Sequence, residues 1–318
     1  MINPSVDLVV IRPDFNAEEK TIKLGSLTIR GRSTGGCETC IVVNELSLAF
    51  DMGYNVDKIE SIKNVCISHG HIDHIGCLQY AHATRMLNNN MNRWQTIMPE
   101  TYIAPYKVLA TAVSSLARGG YPTLFEKCTF ASDDNETETI KPFTKLLCEF
   151  VPAEECQRTE LVDNPKYFIK AYKMKHKITS YGYIVYETRM KLKKEYVGMK
   201  GKEIQILRST GVHIQDIIDI PLIAFTGDTC FSSVLENKDF MRADILIMEC
   251  THFNDSTVEN AILHGHIHFQ QFVDNIGKFD NKWIILCHFS QKYRKIDDIK
   301  DYLKVLSEEQ QKRIVVWI

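Results

Sequence analysis

Residues Ser68-His69-Gly70-His71-Ile72-Asp73-His74 place three imidazoles and a carboxylate within one short stretch. Such groups cannot all hide in a core, because each buried polar group requires a partner. Imidazole and carboxylate are ligands for zinc, and manganese and ferrous iron also accept them. The motif directly follows the apolar run Asn64-Val65-Cys66-Ile67, which places it at a strand end. A strand end and a tight turn can send His69 and His71 toward one position, with Asp73 and His74 facing a second. Two metal ions are therefore expected, and two ions need further ligands. The candidates sit at other strand ends: His176 after YFIKAYKMK, Asp228 in FTGDT and His288 in IILCHFS. With its two oxygens, Asp228 could bridge both ions.

These side chains must be positioned by distant elements. Short β-branched and aromatic runs read as strands: SLTIR, CIVVN, SLAFD, NVCIS, TYIA, YFIKAY, YGYIVYE, LIAFTGD, ILIMEC, WIILCH and RIVVWI. Helical spacing of apolar residues predicts helices over 77–88, 106–116, 268–279 and 297–306. Helices fall after strands rather than in a separate block, which predicts a layered α/β sandwich. No Pro/Gly/Ser-rich linker divides the 318 residues, so one domain is expected.

The formal net charge of −2 argues against a chain coated in basic charge for non-specific nucleic-acid binding, though not against a local patch. Such a patch exists. Residues 187–208 hold Arg189, Lys191, Lys193, Lys194, Lys200, Lys202 and Arg208 against Glu187, Glu195 and Glu203. The segment ASDDNETET at 131–139 is acidic and reads as a solvated loop. No run approaches the roughly 20 apolar residues of a membrane helix, and the first residues lack the pattern of a signal peptide. Ten cysteines are too dilute for a disulfide scaffold and lie mostly in apolar runs, so a reduced, cytoplasmic or nuclear setting is expected.

The set HGHIDH, a distant His, a GDT aspartate and a final HFS resembles the metallo-β-lactamase superfamily. Within it, HKITSYGYIVYE, LIAFTGDT, LIMECTHF and HFSQKY resemble, in order and spacing, the blocks of short-form ribonuclease Z, the 3′-tRNA processing endonuclease. The resemblance implies a four-layer αββα sandwich and a dinuclear zinc site, with manganese as an alternative metal. His69, His71 and His176 would hold one ion; Asp73, His74 and His288 the other, with Asp228 bridging. It also implies a proton relay between Glu249 and a histidine in His264-Gly265-His266-Ile267-His268. His266 matches best, although Ile267 breaks the usual pattern, and His264 and His268 stay open as donors.

Other departures bear on RNA binding. Residues 187–221 lack the Gly-Pro-rich arm of bacterial and animal short forms and resemble the compact lysine-rich segment of plant-type ones. Lys191, Lys193 and Lys194 are candidate phosphate contacts, on a loop shaped by Gly198 and Gly201. Lys292, Tyr293 and Arg294 are candidates for trailing phosphates or a stacked base. Asp51-Met52-Gly53 departs from the family's usual Gly-Glu-rich continuation.

By this resemblance, the reaction is metal-assisted hydrolysis of a phosphodiester at the 3′ end of the mature sequence in precursor tRNA. Asp73 would accept a water proton and His266, oriented by Glu249, would protonate the leaving oxygen. A homodimer without membrane attachment is implied. One alternative is a superfamily hydrolase of a β-lactam, thioester or cyclic-nucleotide phosphodiester. Another is a metal- or RNA-binding module that has lost catalysis.

Overall fold

The computed structural model describes residues 9–11, 19–87, 93–117, 148–293 and 295–317. The acidic stretch 131–139 and Arg294 lie outside them. In chain order the first strands are β1 (Val9–Ile11), β2 (Lys20–Leu24), β3 (Leu27–Gly35), β4 (Glu38–Val43), β5 (Leu48–Phe50), β6 (Asn64–Cys66), β7 (Trp94–Met98) and β8 (Cys148–Pro152). Then come β9 (Thr159–Leu161), β10 (Asn164–Met174), β11 (Ser180–Leu192), β12 (Gln215–Phe225), β13 (Ile245–Glu249), β14 (Trp283–Cys287), β15 (Phe289–Ser290) and β16 (Ile314–Trp317). The helices are α1 (Ile72–Ile75), α2 (Leu78–Leu87), α3 (Glu100–Ala117), α4 (Gly201–Ser209), α5 (Phe231–Glu236), α6 (Val258–His264), α7 (Phe269–Asn275), α8 (Ile296–Leu303) and α9 (Glu308–Lys312).

The strands form two mixed sheets. One runs β15-β3-β4-β5-β6-β7-β8, with β2 paired to β3; the other runs β1-β16-β14-β13-β12-β11-β10-β9. Side-chain alternation explains how they stack. In β11, Tyr183 and Val185 turn inward to meet Ile41, Leu48 and Phe50 of the other sheet, whereas Ile184 and Tyr186 turn outward toward Phe231, Phe269 and Phe272. Ile285 and Ile284 of β14 divide between the same two cores. A third core packs Val42, Ala49 and Val65 against Leu78, Ala81 and Tyr106. Three cores separate four layers, helices–sheet–sheet–helices, as the resemblance implied.

The four predicted helices are present as α2, α3, α7 and α8, with ends shifted by a few residues. One expected strand is wrong. Residues 101–104 (TYIA) form the first turn of α3 instead. Tyr102, Ile103, Tyr106 and Ala110 recur every three or four residues and pack on the sheet, a period a strand cannot satisfy. The strand at this place is β7, five residues buried throughout.

The lysine-rich segment is not a loop. β11 and β12 continue past the sheet as a two-stranded ribbon, pairing Arg189 with Ile218, Lys191 with Asp216 and Leu192 with Gln215. A short 3₁₀ turn (Lys194–Tyr196) and α4 close its tip. Gly198 adopts a positive φ of 95° there, a conformation with little cost for glycine.

Candidate metal centre

Seven side chains from both sheets converge where the sheets meet. β6 ends at Cys66, and the chain turns through Ser68 and His69 into α1, a single turn beginning after His71. That turn aims Asp73 and His74 inward, both buried, and leaves Ile72 at 74% exposure. Asp51-Met52-Gly53 braces it from behind: the Met52 amide donates to the His74 carbonyl at 2.7 Å. A Cβ on Gly53 would lie 1.7 Å from the carbonyl oxygen of Asp73, so only glycine fits. From the other sheet, His176 follows β10, Asp228 follows β12, Glu249 ends β13 and His288 follows β14.

The donor atoms lie at ligand spacing. His71 Nδ1 is 2.9 Å from His69 Nε2 and 3.4 Å from His176 Nε2; His69 Nε2 is 3.7 Å from Asp228 Oδ2. On the other side, His74 Nε2 and His288 Nε2 are 3.1 Å apart, and each is 3.4 Å from Asp73 Oδ2. Asp228 presents Oδ2 at 3.4 Å to His74 and Oδ1 at 3.3 Å to His288. Ligands about 2.0–2.1 Å from a tetrahedral zinc ion sit roughly 3.3 Å from one another, so the spacing fits. Asp228 Oδ1 is buried with no hydrogen-bond partner, an orphan that a cation would satisfy.

Four of the five imidazoles are oriented by the ring nitrogen they do not offer, as metal-binding histidines usually are. His69 Nδ1 meets the Ser68 hydroxyl at 2.9 Å. His74 Nδ1 meets Asp51 at 2.7 Å, His176 Nδ1 donates to the Gly265 carbonyl at 2.8 Å, and His288 Nδ1 meets the Thr251 hydroxyl at 3.1 Å. His71 differs by pointing Nδ1 itself into the cluster. Asp51 and His288 adopt left-handed backbone angles, φ 59° and 57°, which non-glycine residues rarely hold except where surrounding structure imposes them.

Burial and neighbouring imidazoles, His74 foremost, push His69 down to about 2, which leaves its nitrogen neutral and free to coordinate. Burial alone would raise the Asp228 and Asp73 carboxyls, but His288 and His74 outweigh it and hold both well below the usual carboxylate range. A carboxylate in its charged form is the form that a metal ligand needs.

Beside the cluster lies an acid–imidazole pair. Glu249 Oε1 is 3.0 Å from His266 Nδ1. The same carboxylate accepts from the Thr251 hydroxyl at 2.7 Å and the Thr229 amide at 2.7 Å. Burial alone would lower His266, yet the Glu249 charge outweighs it and lifts the imidazole to about 9. The other two histidines of HGHIH are engaged elsewhere. His268 caps α7 by accepting from the Gln270 amide, and His264 ends α6 beside Lys177.

The remaining sequence candidates lie apart. Lys191 and Lys194 are exposed on the ribbon; at roughly 3.3 Å per residue along β11, Lys191 lies on the order of 35 Å from Ser180, which bonds the Asp228 carbonyl. Lys193 is half-buried where the ribbon ends. Lys292 pairs with Asp255 at 2.6 Å. Tyr293 is buried against Phe253, its ring centroid 5.0 Å away, and its hydroxyl donates to Asp255. The expectation of a stacked base at Tyr293 is therefore corrected: the core already covers its ring. Sequence reasoning missed Asp51 and Thr251. Asp51 carries one signal, a charged residue closing the apolar run Ser47-Leu48-Ala49-Phe50.

No protein-family model matches the chain. Over 91% of this chain and 94% of the relative, it is 37% identical to tRNase Z TRZ1 of Arabidopsis thaliana. The chain belongs to the tRNase Z family. Chloroplastic tRNase Z TRZ2 of the same plant is 31% identical, covering 93% of this chain and 76% of the relative. Among solved structures, the metallo-β-lactamase fold protein YhfI of Bacillus subtilis aligns with TM-score 0.50 and 14% identity, covering 90% and 92%. That likeness concerns the fold. For a tRNase Z family chain, a His/Asp cluster at the meeting of two sheets is a metal site.

Proposed function

We propose that this protein is a zinc-dependent endoribonuclease that removes the 3′ trailer from precursor tRNA. The observation that carries this reading is the convergence of the seven ligand-type side chains beside the Glu249–His266 pair in a chain of this family. His69, His71 and His176 would hold one ion and Asp73, His74 and His288 the other, with Asp228 shared; manganese is the alternative metal. Bound divalent ions supply Lewis acidity at a phosphoryl oxygen and lower the pKa of water.

The chain's own groups supply the rest. His266 binds Glu249 through Nδ1, which leaves Nε2 to face the substrate. Protonated at neutral pH, it offsets charge growing on the phosphoryl oxygens and donates its proton to the leaving oxygen. Glu249 holds the ring in place and keeps it charged. Lys191, Lys193 and Lys194 on the ribbon contact phosphates far from the cut. We read the chain as one domain with 187–221 as an insertion, a homodimer of the cytoplasm or nucleus. Among the described residues no helix is long and apolar enough to cross a membrane.

The test is cleavage of a transcribed precursor tRNA, with and without chelator, with the product end mapped. A single cut leaving a 3′-hydroxyl mature end, lost on chelation, supports the reading. Asp228→Asn and His71→Ala should each reduce the rate by roughly 10³-fold, the scale of losing a preorganised charge-stabilising group. Hydrolysis of a small diester with no cut in the tRNA would overturn it.

A further inference from the structure

Three lysines border the site, and they differ in one respect. Lys175 pairs with Glu236 and Lys292 with Asp255. Lys177 has no carboxylate partner among the described residues; its ammonium donates to Nδ1 of His264 at 2.9 Å. Both members of this pair are exposed, and their place is fixed from two directions. Lys177 directly follows His176, and His264 stands two residues before His266. The His176 and His266 rings are 5.2 Å apart between centroids. The His176 Nδ1 bond to the Gly265 carbonyl joins the two segments. A Cβ on Gly265 would approach His176 Nδ1 to 2.8 Å and the Lys177 amide nitrogen to 3.2 Å, so the close approach depends on glycine.

We propose that Lys177, oriented by His264, binds a non-scissile phosphate of the RNA strand next to the cleavage site. This rests on the endoribonuclease reading above and names a contact within it. An ammonium held at the edge of the site by one imidazole nitrogen has two N–H donors left to offer, whereas one paired with a carboxylate must first give up that partner. A phosphate would complete the pair by accepting from those N–H groups. A substrate with one phosphodiester and no flanking phosphate would not use the contact.

The experiment compares the wild-type protein with Lys177→Ala, Lys177→Arg and His264→Ala on two substrates: precursor tRNA and bis(p-nitrophenyl) phosphate. With Lys177→Ala, KM for precursor tRNA should rise by about tenfold at little change in kcat. The slope of log kcat/KM against log salt should flatten by about 0.7–0.9, the value of one phosphate contact. Lys177→Arg should restore both, His264→Ala should raise KM by a smaller factor, and small-diester turnover should stay unchanged throughout. An unchanged KM and salt slope in Lys177→Ala, with the wild type active on precursor tRNA, would overturn this inference alone. Equal loss on both substrates would make Lys177 structural and overturn it as well. A wild type that does not cut precursor tRNA would overturn the endoribonuclease reading and this inference with it.

Discussion

Asp51 Oδ2 lies 2.7 Å from Nδ1 of His74, and both side chains are buried. The same carboxylate receives the Ser68 amide at 2.7 Å and the Ser68 hydroxyl at 2.8 Å. Because that hydroxyl also meets His69, one buried acid orients a ligand candidate of each proposed ion. Asp51→Asn would set an amide N–H against donors that expect only acceptors. A 10–100-fold loss of metal affinity is expected, read as zinc equivalents retained against graded chelator. Wild-type retention would show that Asp51 does not orient the site.

The Glu249–His266 pair predicts a pH effect. His266 is lifted to about 9, so its charged form is present below that value and lost as pH rises through it. Glu249→Gln removes the charge that opposes burial, and the ring then loses its proton at lower pH. The alkaline limb of kcat/KM for precursor tRNA should move toward neutrality, with kcat reduced by about 10²-fold, within the usual range for a general acid. An alkaline limb that stays in place would detach this limb from His266.

Ligand candidates drawn from both sheets couple ion binding to stability. An ion at 100 times its dissociation constant stabilises the folded state by about 2.7 kcal/mol. Stripping the protein with chelator should therefore lower Tm by about 5 °C, and added zinc should restore it. A Tm indifferent to chelator would argue against ions held between the sheets.

Substituting Lys191, Lys193 and Lys194 together with Ala should raise KM for precursor tRNA several-fold. The salt slope should flatten by about two, given up to three phosphate contacts, while small-diester hydrolysis is unchanged because the ribbon is remote. Equal loss on both substrates would assign the ribbon a structural role.

How much of this the sequence displayed depends on how far each partner lies along the chain. HGHIDH was legible because its side chains share one turn. His176, Asp228 and His288 were legible because each closes an apolar run, where a charged or imidazole side chain has no core role. Asp51 also closes an apolar run, but its partners are 17 and 23 residues away, so its role was not legible beside it. Tyr293 was misjudged for the same reason: Phe253 and Asp255, which bury it, lie about forty residues earlier. Residues 101–104 were ambiguous because a four-residue apolar run fits either period; only the sheet beneath α3 selects the helix. The ribbon was hidden because its lysines alternate with apolar residues that stay exposed, such as the paired Met190 and Ile217, so burial leaves no strand pattern there.

Asp73 and His288 approach to 3.4 Å across 215 residues of sequence. A chain emerging from the ribosome thus has HGHIDH long before it has the second sheet that completes the pocket. An amino-terminal fragment that stops short of His288 lacks one of the seven ligand candidates, so the first sheet's donors cannot complete the centre by themselves.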